Sequence, residues 1–350
     1  MASVKPVTPH TFAPSAVALH SCQRMQQGIK LMASGQPNAA LGCFDKVIAL
    51  RASLPWRSDP YAAWLVAAAW MNRSDVLRHN ADPQFLQEAI VSLDHAHAAM
   101  AAIPLAQNPA FPDRLILLWL NRADIEARLG NICAASKAFA HADALLDFWG
   151  RSATTTRRQL NGMYTLNHAK LLLQSGHPLQ AWQQLKNALN AQNTINERLF
   201  RAQAQTLQCH ALALLLDEPN GHNTFENWTE LALATAEAAL TDLPATAISA
   251  LWPADLLRFC VRIFRICKPE GLAHFLARPE TQRLINSHPS LVEDIDTELL
   301  RARVQIRMDV LTRPLAANPL EQNKLLRALQ RAAYALKPHT ANASIAERYS

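Results

Sequence analysis

Residues 70–75 read WMNRSD and residues 119–124 read WLNRAD, so four of six letters return after 49 residues. The two changes stay within apolar or small classes. Aligned on the small residue of this echo, Ser74 or Ala123, two further copies emerge with anchors at Gly28 and Ala169, at spacings of 46, 49 and 46 residues. Seven past the anchor stands Gly35, Gly130 or Gly176, with Ala81 in the second copy. Then come Ala40, Phe44 and Val47; Ala135, Phe139 and Ala142; and Ala181, Leu185 and Ala188. The second copy carries Ala89, Leu93 and Ala96, displaced by three residues.

This is the pattern of a helix pair. A small anchor lets the second helix approach, and glycine ends the first because it tolerates a left-handed backbone. Residues spaced three and four apart line one face of the second helix. One pair cannot bury its apolar stripe alone, so pairs must stack.

The copy LLWLNRADIEARLGNICAASKAFAHA, residues 117–142, resembles the tetratricopeptide repeat (TPR) family through Trp119, Ala123, Gly130, Ala135, Phe139 and Ala142. The resemblance covers about residues 22–190 and implies an all-α, right-handed solenoid of stacked antiparallel helix pairs. Two departures stand out. The family period is about 34 residues, whereas this chain repeats every 46–49 and carries Pro-bearing connections such as LPWRSDP (54–60) and AAIPLAQNPAFPD (101–113). The residue before the anchor, commonly Leu in the family, is Gln27, Arg73, Arg122 or His168.

Beyond residue 190 the pattern weakens. Residues 198–216 and 226–240 make a fifth pair around the turn-rich DEPNGHNT, and 252–267 form a very apolar helix with Pro253 near its start. A helix near 291–311 follows, and a last one is capped at Asn318-Pro319 and runs to about Leu336. The expected organisation is a disordered segment at 1–20, TPR-like repeats over 21–245, a helical cap over 246–338 and a disordered tail from 339 to 350.

Half of the residues are apolar, enough for a sizeable core, and Ala, Leu, Gln and Arg dominate over β-branched runs, which excludes an extended sheet. The net charge of +6 is confined to one end: residues 301–350 hold 9 Lys/Arg against 3 Asp/Glu, and the rest is balanced. Six scattered cysteines without a Cys-x-x-Cys read as buried thiols in a reducing compartment. No stretch reaches the ~18 continuous apolar residues of a bilayer span, and the expected location is the cytoplasm.

Catalytic motifs are missing: there is no phosphate-binding loop, Rossmann glycine pattern, His-Glu-x-x-His or Gly-x-Ser-x-Gly. His95 and His97 point about 200° apart on a helix, so they cannot share a metal. No enzyme activity, cofactor or metal is expected. What the repeat offers is an inner wall. Two before each anchor stands Gln26, Asn72, Asn121 or Asn167, a row of amides able to pair with both groups of a peptide backbone. The row resembles the asparagine ladder of some TPR superhelices. Asp75, Asp124 and Lys170 follow one turn later, and Asp75 with Arg78, or Asp124 with Arg128, are placed to pair along their helices. Trp70 and Trp119 read as core.

The expected function is a protein-binding scaffold or adaptor that holds an extended peptide or helix on this wall. Two alternatives stand beside it. One is nucleic-acid binding through the basic late helices, with Arg258, Arg262, Arg265, Arg303, Arg307, Arg327 and Arg331 as candidate anion contacts. The other is an accessory subunit of an enzyme complex.

Overall fold

A computed structural model describes residues 16–80, 82–101, 103, 111–151, 153–190, 197–217, 228–244 and 252–312. The described residues hold helices and turns and no strand. The helices are α1 (Ala16–Ala33), α2 (Pro37–Arg51), α3 (Pro60–Leu77), α4 (Pro83–Met100), α5 (Phe111–Arg128), α6 (Ile132–Trp149), α7 (Thr155–Gln174) and α8 (Pro178–Asn190). They continue as α9 (Glu197–Asp217), α10 (Trp228–Thr241), α11 (Trp252–Cys267), α12 (Leu272–Leu276), α13 (Pro279–Ser287) and α14 (Val292–Thr312). The helix read over 318–336, with Lys324, Arg327 and Arg331, lies outside the described residues, as do both expected disordered ends apart from residues 16–20 and most of the two connections 102–110 and 218–227.

The chain forms two compact units, one ending at Ala142 and the other beginning at Asp143, a boundary inside α6. In the first, α1 packs on α2, α2 on α3, α3 on α4 and α4 on α5. In the second, α7 packs on α8, α9 on α7, α8, α10 and α11, and α11 on α14.

Proline and a side-chain cap open several helices: Asp59 and Asp82 each accept a bond from the backbone N–H two residues on, ahead of Pro60 and Pro83. The repeat glycines close others. Gly35, Gly130 and Gly176 have φ of 73°, 78° and 77°. Behind each, the next N–H reaches back five residues, Gln36 to Leu31, Asn131 to Glu126 and His177 to Leu172. These are Schellman caps, which an L side chain would strain.

The anchors Gly28, Ser74, Ala123 and Ala169 are all buried. So are Ala40, Phe44 and Val47, Ala89, Leu93 and Ala96, and Ala135, Phe139 and Ala142; of the fourth set Ala181 and Leu185 are buried and Ala188 is half-buried. Gly28 shows why the anchor must be small: a Cβ there would lie 2.6 Å from Phe44 Cε1. The second unit adds a large apolar cluster from α9 to α14, centred on Leu212, Leu257, Val261, Phe264, Phe275 and Leu291.

Three of the four residues that precede the anchors, Arg73, Arg122 and His168, reach across to a neighbouring helix. Arg73 Nε lies 2.8 Å from Asp45 on α2 while its other nitrogens reach Ser92 and Glu88 on α4. Arg122 pairs in the same way with Asp94 on α4. Both aspartates stand 28 residues before their arginines. The third equivalent, His168, has Ala140 at that offset and bonds Gln184 on α8 instead, at 2.9 Å.

Arg51, the last residue of α2, is 2% exposed. Its guanidinium donates to Ser21 Oγ at 3.0 Å and to the Leu65 carbonyl, and lies 3.8 Å from Cys22 Sγ, so it ties α1, α2 and α3 together. It forms no ion pair among the described residues, and burial lowers its pKa from the usual range.

The cysteines correct one expectation. Cys43, Cys209 and Cys260 are buried, Cys22 and Cys267 half-buried, but Cys133 is exposed. It sits in the first turn of α6, on the face away from Ala135 and Phe139.

Candidate functional site

Helical geometry makes one stripe of each first helix the same stripe. On α7 the positions ten, six and two before the anchor and one and five after it are Gln159, Met163, Asn167, Lys170 and Gln174. On α5 they are Asp113, Leu117, Asn121, Asp124 and Arg128, and on α3 Trp64, Ala68, Asn72, Asp75 and His79. Apart from buried Asn121, each of these positions is half-buried or exposed on its helix, and they lie three or four apart, on one side. The amides read from the sequence therefore share a register. They do not share a state.

In the first unit the stripe is engaged with itself. Asn72 Nδ2 donates to the Ala68 carbonyl at 2.7 Å and lies 3.7 Å from Met25 Sδ, so its amide is folded onto its own helix and α1. Asn121 is 5% exposed. Arg78 stands between Asp75 at 2.7 Å and Asp124 at 3.7 Å. Arg128 ignores Asp124 and donates to the Arg78 carbonyl and, at 2.9 Å, to that of Asn80. The Arg114 guanidinium covers the Trp64 ring at 4.6 Å. Gln26, on α1, is exposed.

The other side of these helices holds aromatic–imidazole stacks. Trp70 stacks on His95 and Trp119 on His141, each at 4.4 Å, and His97 meets the edge of Trp119. The two tryptophans are half-buried packing groups, and His95 and His97 serve different rings. Burial, with Arg122 and His141 nearby, lowers the pKa of His97.

In the second unit the stripe is open. Asn167 is half-buried, Lys170 exposed, and neither has a side-chain hydrogen bond or ion pair among the described residues. Met163, on the same stripe, is 36% exposed. Next to α7 lies α9, whose Phe200 ring would be 3.4 Å from a Cβ placed on Gly162. Between residues 202 and 214 of α9 every position is buried except Gln203, Leu207, His210 and Leu214, which continue a stripe begun by Leu199. Ala169 and Leu173 share one apolar cluster with Phe200, Ala204 and Ala211, and Leu207 and Leu214 pack against it, so α7 and α9 are joined through this core. The half-buried positions of α9 form a largely apolar strip along that helix.

His210 closes that strip against α11. Its ring stacks on Phe259 at 4.2 Å with planes only 6° apart. Burial, and then the charge of Arg262, push its pKa down to about 4.

The late arginines are neutralised within the unit. Arg258 lies 3.0 Å from both Asp255 and Asp294. Arg262 pairs with Asp217, and Arg265 lies 3.5 Å from Asp217 and 2.5 Å from Glu298, close but too poorly aligned for a hydrogen bond. Arg301 also pairs with Glu298. Four arginines thus face four carboxylates. Arg303 and Arg307 are exposed on α14, and Arg327 and Arg331 fall outside the described residues.

Near the unit boundary, Arg151 is held by Asp143 at 2.5 Å, Asp147 at 2.8 Å and Asn161 at 3.0 Å, over the ring of Tyr164. Burial beside Asp143 raises the Tyr164 phenol above its ordinary range. Every group in this cluster is spent on its neighbours. Among the described residues no three His, Cys, Asp or Glu side chains gather as metal ligands, and no helix is long and apolar enough to cross a membrane. Comparison with protein-family models, curated proteins and solved structures finds no match.

Proposed function

We propose that this chain is a non-enzymatic interaction protein, a TPR-like α-solenoid that holds a segment of a partner protein on the inner wall of its helix stack. One observation carries the reading: Met163, Asn167 and Lys170 share one stripe of α7, with Met163 and Lys170 exposed and the Asn167 amide and Lys170 ammonium without a side-chain partner among the described residues. Met163 offers the partner an apolar contact, the Asn167 amide pairs with its backbone, and Lys170 favours an acidic residue. A preformed wall needs little ordering of its own. The matching stripe of α3 and α5 serves mainly to hold the first unit together. A partner in an enzyme complex fits the same wall, and stoichiometric co-purification with an enzyme would mark the chain as its accessory subunit.

The test is recovery of partners by the full chain and by an Asn167→Ala/Lys170→Glu variant, identified by mass spectrometry. Both positions are off the core, so the variant folds, and it loses the partners that the parent retains. Equal recovery by the two proteins rejects the proposed wall.

A further inference from the structure

One arginine of the first unit has a seat but no acceptor. Arg114, in the opening turn of α5, lays its guanidinium over the Trp64 ring of α3 at 4.6 Å. Trp64 in turn packs against the apolar cluster of α3, α4 and α5, so the platform under the guanidinium is fixed. The Arg114 side chain is half-buried, yet it makes no hydrogen bond or ion pair among the described residues. Every other half-buried arginine there has an acceptor. Most have a carboxylate, as Arg73 and Arg122 do; Arg24 has the His20 ring and Arg158 the Thr155 hydroxyl.

The desolvation of Arg114 is therefore unmatched. Burial lowers its pKa from the usual range, and no carboxylate offsets that, not even Asp113 next to it in sequence. A guanidinium over a ring spends its flat face and keeps its edge, which carries five N–H donors in a fixed fork. The unpaired backbone N–H groups of the first helical turn add positive character around it.

We propose that the free N–H edge of Arg114, seated on Trp64, is a recognition site for an acidic side chain, Asp or Glu, of a partner protein. The charge balance selects this occupant. No second cation acts on Arg114, so the site offers one positive charge. One charge on a flat fork matches one carboxylate bidentately, whereas phosphate groups are taken by clusters of arginines. The indole beside the fork gives the methylene groups of that side chain an apolar contact. The site rests on the reading of the chain as an interaction protein, but not on the α7 wall.

The test is a titration of the full chain, with ¹⁵N-labelled arginine, by hexaglutamate blocked at both ends. The Arg114 Nε–H resonance, assigned by its absence from Arg114→Lys, is expected to move saturably. Arg57, exposed over the Trp56 ring at 4.6 Å, reports general attraction and binds about ten-fold more weakly. Arg114→Lys keeps the charge and loses the fork, and it should weaken the same titration, read on the Trp64 indole N–H, by about ten-fold. An unmoved Arg114, equal binding at Arg57, or an equal response to blocked hexaglutamine or to inorganic phosphate overturns the proposal. So does unchanged affinity in Arg114→Lys. The Asn167→Ala/Lys170→Glu variant should keep the Arg114 response, so this site and the α7 wall stand or fall separately; a response abolished by that variant would place the peptide elsewhere and reject the site.

Discussion

The two units solve the same problem, holding antiparallel helices in register, with different chemistry. In the first, the apolar clusters of α1 to α5 are fastened further by polar groups. Arg73 and Arg122 clasp aspartates 28 residues earlier, Arg51 is sealed among three helices, and Asp75, Arg78 and Asp124 bridge α3 and α5. In the second, register rests on an apolar cluster spanning α9 to α14, with short helices such as α12 filling space beside it. The contrast bears on where the proposed wall would lie. Polar side chains that fasten helices to one another are not free for a partner, whereas a unit fastened by leucine and phenylalanine can leave Asn167 and Lys170 open.

The comparison can be broken at its strongest point first. Phe275 is fully buried and stacks on Phe264 at 4.1 Å. Phe275→Ala is expected to lower the stability of the second unit by about 3–5 kcal/mol in urea denaturation, with the first unit's transition unmoved.

Next comes pH. Burial holds His210 neutral in the fold, its pKa pushed down to about 4 from the ordinary imidazole range near 6.5. Its depressed pKa means that stability is complete above about 6.5 and falls as the pH drops toward 4, because the unfolded chain takes up the proton first; the loss is on the order of 3 kcal/mol. Denaturation of a His210→Gln variant across this window should be flatter than that of the parent, and parallel curves would remove His210 from the account.

In the first unit, Gly28→Ala should cost about 1–3 kcal/mol by driving a methyl group into the Phe44 ring. Phe44→Leu in the same chain should restore part of the loss, and thermal melts of the two variants decide it. Ser74 offers the opposite sign. Its hydroxyl is buried without a hydrogen-bond partner where the sister anchors are Ala123 and Ala169, so Ser74→Ala should raise stability by about 1 kcal/mol. A decrease would show that the hydroxyl is satisfied after all. Smallest is the Arg122–Asp94 clasp, with both groups partly exposed. A double-mutant cycle should give about 0.2–1 kcal/mol, shrinking with added salt.

Much of the first 190 residues was legible because the repeat records packing. Gly35, Gly130 and Gly176 sit where helices end left-handed, and Ala40, Ala89, Ala135 and Ala181 sit where helices touch. Arg73 and Arg122 were visible as departures, and the signal for their role was present too, since Asp45 and Asp94 stand at equal offsets. The amide row shows the limit. Sequence placed Asn72, Asn121 and Asn167 on one stripe but not their surroundings, because whether an amide is open depends on what the neighbouring helix puts beside it. Asn72 found the Ala68 carbonyl and Asn167 found no partner. After residue 190 the contacts of α9, α11 and α14 join non-equivalent positions, so no period announces them. His210 against Phe259 and the arginine–carboxylate network of α11 were not readable for that reason.

The sealed guanidinium of Arg51 has one more implication. Its partners are a hydroxyl, a carbonyl and a thiol, none of them an anion, and the group is shut off from water. Mobile ions therefore have little to screen there, whereas the clasps of Arg73 and Arg122 weaken as ionic strength rises. Concentrated brine would loosen the seams of α4 with α3 and α5 while Arg51 keeps the junction of α1, α2 and α3 shut, so the order in which this half of the molecule comes apart is under the control of the solvent.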